Sequence, residues 1–320
     1  MPKRKNRLRC WIWLVLLAIS LFGLSQTTPA VNWISRHLEI EPEIVSNLHR
    51  PAPPDWPVDA DNYGSRSIIV YDLSRKQILF RKNIDIDVPV ASLTKIMTAI
   101  LAIEKIENLN DTARINSETI SQMYSHNAST AGFRAGENAR YIDLLYATML
   151  PSGGEAALTL AESLSGSENE FANLMNLRAK ELGMSRTVFK NSTGLDVDGQ
   201  VSTPRDLVRL LRHALKNPTF RQIFTTPEYR TSPTPLRPQG IKFKHSVLSQ
   251  ISADEQVNFK VLGGKSGTTY AAELCWATLV EKNGREFLVI TLGAPLDNLN
   301  NPTTHQKSDL LLIAQTIDTF

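Results

Sequence analysis

Apolar and polar positions first alternate in two short β-rich runs, SIIVYD at Ser67 to Asp72 and QILFR at Gln77 to Arg81, joined by a short polar turn. That pattern predicts a hairpin. The period then changes, and Ala91 to Ile106, Tyr141 to Met149, Glu155 to Leu164, Glu168 to Leu182 and Pro204 to Leu215 carry helical spacing or composition. Thr203 before Pro204, with Asp206 in the first turn, marks one helix start. The hydroxyl caps, the proline's missing N–H is not needed there, and the carboxylate suits the dipole. Strands return at Phe259 to Lys265, Leu274 to Glu281 and Glu286 to Gly293, the last two joined by Asn283-Gly284, which favours a tight turn. A helix over Ser308 to Thr319 follows. Strands near both ends of the chain around a helical middle predict an α+β or three-layer domain with one sheet assembled from both chain ends.

The N-terminal pattern is of a different kind. Lys3, Arg4, Lys5, Arg7 and Arg9 precede Trp11 to Leu24, which is apolar except for Ser20. A charged tip and an apolar run predict export. The run is shorter than the ~20 apolar residues of a usual membrane span, so residues 1–30 read either as a cleaved signal peptide or as an N-terminal membrane anchor. Scattered charge and Pro51, Pro53, Pro54 and Pro57 make residues 31–62 a spacer, which leaves 63–320 as the folded domain.

With 42% hydrophobic residues in 320, the chain has material for a real core. The net charge of +3 includes the basic N-terminal tip and gives no reason to expect nucleic acid. Cys10 precedes the apolar run, which does not suit a lipoprotein anchor. Cys275, between Leu274 and Trp276, reads as a buried small hydrophobe without a disulfide. The histidines at 37, 49, 213, 245 and 305 show no ligand spacing, and no metal or other cofactor is expected. His126 reads as a surface-loop residue, Asp196 and Asp198 as a turn, and Arg205 equally well as a cleft residue or a paired helix residue.

The stretch VPVASLTKIMTAILAIEKI places Ser92 and Lys95 three apart, on one face of a helix and at its first turn. There the unpaired backbone N–H groups and the dipole favour developing negative charge. From Ile96 to Ile103 only Thr98 is polar, so Lys95 should be poorly solvated and its ammonium form disfavoured. Those properties suit a serine nucleophile with a lysine base. An isolated SxxK carries little weight, since one arises by chance about once in a chain of this length. Two further groups strengthen it: Lys265-Ser266-Gly267-Thr268 at the end of an expected strand, and Ser152-Gly153-Gly154 at a helix start.

In this order the three groups resemble the signature of penicillin-binding proteins and serine β-lactamases. ASLTKIMTA, FRAGENARYIDLLYATMLPSGGEAA, ELGMSRTVFKNSTGLDVDGQVSTPRDL and GGKSGTT are similar to the low-molecular-mass penicillin-binding D-alanyl-D-alanine carboxypeptidases over roughly Tyr63 to Pro295. The resemblance implies a β-lactamase/DD-peptidase-like fold, with an antiparallel sheet packed with helices and an all-helical subdomain. It implies Ser92 as the acylated nucleophile, Lys95 as its base, Ser152 as a proton relay and Lys265 as electrostatic support. The N–H groups of Ser92 and Thr268 would form the oxyanion hole, and the Ser266 and Thr268 hydroxyls would hold the terminal carboxylate in a strand opened by Gly267.

Gly154 departs from the family, whose second motif usually ends in an asparagine that holds the substrate carbonyl; Glu155 is either a substitute or a first-turn carboxylate. The implied substrate is a peptidoglycan stem peptide and the implied inhibitors are β-lactams. A D,D-carboxypeptidase leads this reading, with a D,D-endopeptidase or a catalytically weakened binding protein as alternatives. No ExxLN lies between the second and third motifs, which argues against a class A β-lactamase. The chain does not run past Phe320 into the further β-rich domain and C-terminal anchor of some relatives, so membrane attachment is expected only through the N-terminus.

Overall fold

Two strands begin the fold, β1 (Ser67–Asp72) and β2 (Gln77–Lys82), as the alternating pattern predicts. The middle of the chain forms α1 (Lys95–Lys105), β3 (Thr112–Arg114), α2 (Ser117–Ser125), β4 (Asn138–Arg140), α3 (Tyr141–Met149), α4 (Gly154–Ser165), α5 (Glu168–Glu181), α6 (Pro204–Ala214) and α7 (Pro218–Thr225). Then come β5 (Glu228–Arg230), β6 (Lys242–Lys244), β7 (Lys260–Thr269), β8 (Glu273–Lys282), β9 (Arg285–Ala294) and α8 (His305–Thr316). This computed structural model describes residues 56–299 and 304–317. The expected leader and residues 31–55 of the expected spacer lie outside the described residues, and among those described no helix is long and apolar enough to cross a membrane.

The five long strands make one antiparallel sheet in the order β2-β1-β9-β8-β7, so both chain ends do contribute. Alternation along each strand assigns its side chains to opposite faces. Ile69, Tyr71, Leu279, Leu288 and Ile290 face a core shared with Ile96 and Ile100 of α1, Leu160 of α4, Leu211 of α6 and Phe224 of α7. Ile68, Val70, Val280, Phe287 and Val289 face the other way, onto Leu310, Ile313 and Ala314 of α8. A one-residue slip would exchange these two sets and strand both cores, which fixes the register. The result is three layers, α8, sheet and helical block, within the expected α+β class. Two small ribbons, β3–β4 and β5–β6, add strand structure to the helical side.

Local chemistry holds the long hairpins and caps. Asn283 and Gly284 both take positive φ, 52° and 72°, the geometry of a tight turn whose twist matches the flanking strands β8 and β9. Thr203 accepts from the Asp206 N–H and Pro204 opens α6, as its sequence predicts.

One buried carboxylate joins the last helix to the entry of β1. Asp309 on α8 accepts from the N–H of Gly64 at 3.0 Å, the N–H of Ser65 at 2.7 Å and the Ser65 hydroxyl at 2.5 Å. Asp309→Ala would leave these donors unpaired, and each buried orphan is costly. Urea denaturation is expected to show a loss of about 2–4 kcal/mol, with a change under about 0.5 kcal/mol counting against this tie.

Candidate active site

The helix expected from Ala91 breaks at its most functional residue. Ala91–Thr94 is a 3-10 turn, and the α-helix starts only at Lys95. The break follows from backbone crowding. Ala91 has φ 47°, a conformation costing a non-glycine residue about 1–3 kcal/mol unless its surroundings impose it. A Cβ on Gly194 would lie 2.0 Å from the Ala91 carbonyl oxygen, and one on Gly267 would lie 2.9 Å from Val90 O and 3.0 Å from Ser92 N. Two glycines therefore let two separate segments close on the backbone around Ser92.

Lys95, 3% exposed, donates from Nζ to Ser92 Oγ at 2.9 Å and to Thr193 O at 2.5 Å. Burial outweighs the opposing pull of Glu155 and Glu168 and pushes its ammonium down to about 7. Lys265 on β7 is fully buried, and its Nζ donates to Ser266 O at 2.7 Å. Burial first, and then the charge of Lys95, push it well below the usual lysine range. Burial thus makes a neutral Lys95 amine accessible beside the serine hydroxyl near neutral pH.

β7 runs through Thr269 rather than stopping at Lys265, which places the whole Lys265–Thr268 group inside a strand. It pairs with β8 on one side only, among the described residues, leaving the other edge beside the Ser92 turn. Gly267 is buried, Ser266 is half-buried with its Oγ 2.7 Å from Ser246 Oγ, and Thr268 is exposed.

Ser152 lies in the loop between α3 and α4 with φ 65°. Its Oγ is buried and finds no partner among the described residues. The loop ends at Gly154, the first residue of α4, whose N–H donates to Ser129 O at 2.8 Å. A Cβ on Gly154 would lie 2.4 Å from Met123 Sδ and 3.2 Å from Ser129 O. The space that an asparagine side chain would enter is thus filled by a thioether from α2, itself fully buried.

The segment before α6 supplies a wall without an obvious sequence motif. Thr98 donates to Ser192 O at 2.7 Å, Asn191 accepts the Gly194 N–H at 2.7 Å, and Lys95 takes the Thr193 carbonyl. Asp196 is more than part of a turn: its Oδ1 accepts from the Thr269 hydroxyl at 2.7 Å, fastening this segment to the end of β7, while Asp198 does lie in a turn. A cavity of about 220 Å³ opens there, lined by Val90, Ala91, Gly194, Asp196, Gln200 and Ala271 among others.

Other candidates resolve simply. His126 caps the end of α2 on the surface, with Nδ1 2.9 Å from Gln122 O. Arg205 makes a bidentate ion pair with Asp85 at 2.6 and 2.9 Å. Cys275 is buried, as expected. No cluster of metal-ligating side chains occurs among the described residues. His245, which the sequence marks only as a histidine without ligand spacing, is buried behind β7. Its Nδ1 accepts the N–H groups of Val247 and Leu248 at 3.1 and 3.3 Å, and its Nε2 lies 3.1 Å from Phe224 O and 3.3 Å from the Gly264 nitrogen of β7. Burial above all pushes its pKa down to about 4, so it stays neutral behind Lys265.

A family profile described as D-alanyl-D-alanine carboxypeptidase, Peptidase_S11, matches residues 55–296. The chain belongs to this family. Among its relatives, D-alanyl-D-alanine carboxypeptidase DacF of Bacillus subtilis is 28% identical over 250 residues, covering 77% of this chain and 61% of the relative. A D-alanyl-D-alanine endopeptidase of Pseudomonas aeruginosa is 35% identical over 164 residues, covering 51% of this chain and 52% of the relative. The chain therefore spans little more than half the length of these curated relatives. The crystal structure of the Streptomyces K15 DD-transpeptidase superposes with a TM-score of 0.72 at 25% identity, covering 81% of this chain and 98% of that one. Nearly the whole of the K15 DD-transpeptidase chain is thus matched by this fold.

Within the family, Gly154 and Met123 form a matched pair in this chain. Gly154→Asn alone is expected to cost about 1–3 kcal/mol by overpacking. With Met123→Ala, a double-mutant cycle followed by thermal denaturation should return about 1 kcal/mol or more of favourable coupling. Strict additivity would refute the steric account.

Proposed function

We propose that the protein is a serine D,D-carboxypeptidase that removes the terminal D-alanine from peptidoglycan stem peptides through an acyl-Ser92 intermediate. The observation that carries this reading is the buried Lys95 Nζ at 2.9 Å from Ser92 Oγ. Neutral Lys95 takes the hydroxyl proton as Ser92 Oγ attacks the penultimate D-alanine carbonyl. The N–H groups of Ser92 and Thr268 receive the oxyanion, a role typically worth ~3–4 kcal/mol. The C–N bond then breaks, and the departing D-alanine nitrogen gains a proton by way of Ser152, whose buried hydroxyl has a hydrogen bond to spare. Water hydrolyses the ester: Lys95, having passed its proton on by way of Ser152, accepts one from the water and returns it to the leaving Ser92 oxygen. The Ser266 and Thr268 hydroxyls bind the terminal carboxylate on the free edge of β7, and Lys265 supplies positive potential. The upstream peptide leads toward the cavity beside Asp196.

β-Lactams acylate the same serine, and the lack of an ExxLN base between the second and third motifs makes that adduct long-lived. Gly154 leaves the substrate carbonyl without the family's usual amide, so orientation rests more on the strand edge. The P. aeruginosa relative, an endopeptidase by name, favours a second reading in which the same chemistry cuts cross-linked D,D bonds. The catalytic domain, residues 63–320, works outside the cytoplasm, exported by the basic and apolar N-terminal segment that remains as an anchor or is removed.

Fluorescent penicillin should label the protein and a stem pentapeptide should yield free D-alanine, both lost in Ser92→Ala. Lys95→Ala is expected to lower acylation by about 10²–10⁴-fold. Since the base must be unprotonated, the rate should rise with pH and level off above about 7. Labelling without D-alanine release from pentapeptide or cross-linked dimer would refute the peptidase reading.

A further inference from the structure

Glu155 has no part in the scheme above, yet its placement is costly. It lies in the first turn of α4 with 0% exposure. Its Oε1 accepts the N–H groups of Ala131, Gly132 and Phe133 at 2.7, 2.9 and 3.3 Å. Its Oε2 is buried with no partner among the described residues. Three donors on one oxygen favour the ionised form, while burial opposes it and raises the pKa from the ordinary carboxylate value.

Anchoring the 131–133 loop does not explain the charge. A neutral amide would offer the same acceptor oxygen at a smaller desolvation cost. The unused oxygen therefore points to an electrostatic role. α4 packs against α1, which carries Lys95. The charged groups acting on Lys95 are Glu155 from α4 and Glu168 from α5, while Lys95 in turn acts on Lys265 of β7. Of the two acids, Glu168 is only half-buried, its Oε1 accepting from the Ser192 N–H at 2.9 Å and the Ser192 hydroxyl at 2.6 Å, whereas Glu155 is fully buried. Glu155 exerts the larger pull and has a free oxygen.

We propose that Glu155 is a positioning residue for acylation that acts through Lys95: its buried negative charge governs how readily Lys95 releases its proton to become the base, while its other oxygen keeps the 131–133 loop closed against α4. This inference rests on the acyl-serine reading, with Lys95 as base. The carboxylate stabilises the ammonium, so removing it must make Lys95 a free base at lower pH.

The test is the pH profile of penicillin acylation between about pH 5 and 9 for wild type, Glu155→Gln and Glu155→Asp, with thermal melts alongside. Glu155→Gln keeps the acceptor oxygen and removes the charge. Its acid limb should move down by half a pH unit or more, equal to about a threefold gain at pH 6 relative to its own plateau. Glu155→Asp retains the charge and should keep the wild-type limb even if the loosened loop lowers the plateau. A limb that stays in place or moves up in folded Glu155→Gln overturns the proposal, since a purely structural residue would change only the plateau.

Should the glutamine variant fail to fold, the wild type decides: the Glu155 ¹³Cδ resonance, assigned by its loss in Glu155→Asp, should report a carboxylate throughout pH 6–8. A protonated Glu155 there would overturn the inference. Ser92-dependent labelling with an unmoved limb removes only the Glu155 role, whereas no labelling of the wild type removes the acyl-serine reading and this inference with it.

Discussion

An amine shut away from water against a serine oxygen is the contact on which the rest depends. Lys95 touches Ser92 Oγ and Thr193 O, and water has almost no access to it. Left in solvent, an ammonium at its ordinary pKa of 10.5 would be useless as a base near neutrality. Drying it out makes the neutral form available. The stability given up in burying two lysines is tolerable only because a large core surrounds them, with α1 inside the helical block and β7 at the sheet margin.

Close backbone approach builds that dry pocket. Gly194 and Gly267 come from distant parts of the chain, and each presses on the turn that carries Ser92 at distances no side chain would allow. Asp196 and Thr269 then tie those two parts to each other. The nucleophile's turn is therefore held between two segments, which is why Ala91 keeps a left-handed conformation without glycine. β7, paired only with β8 among the described residues, presents a strand edge beside this turn to an extended peptide, the same geometry that makes edges hazardous elsewhere.

How much of this was legible depended on how each residue's role is encoded. The central strands and the Asn283-Gly284 turn carry strong local patterns, and so does the Thr203-Pro204 helix start. Ser92, Lys95 and the Lys265–Thr268 group were visible because their chemistry is unusual in apolar surroundings. The break between Ala91–Thr94 and α1 was not visible, because the run is buried nearly all round and has no polar stripe to mark a change of period. Helix α2 buries only Thr119 and Met123, and the ribbons β3–β4 and β5–β6 are three residues per strand, too short for an alternation signal. Gly154 could be seen as a missing amide, but the thioether that fills its space comes from another helix. His245 and Glu155 draw their character from burial and from backbone N–H groups of loops, neither of which leaves a mark in residue spacing.

The central claim concerns the protonation of one side chain, and it can be measured without substrate. In protein labelled with ¹³C at lysine Cε, the resonance that disappears in Lys95→Arg should titrate near 7 in the wild type. If that resonance titrates near 10.5, Lys95 is an ordinary ammonium at neutral pH and the account of Ser92 activation is wrong.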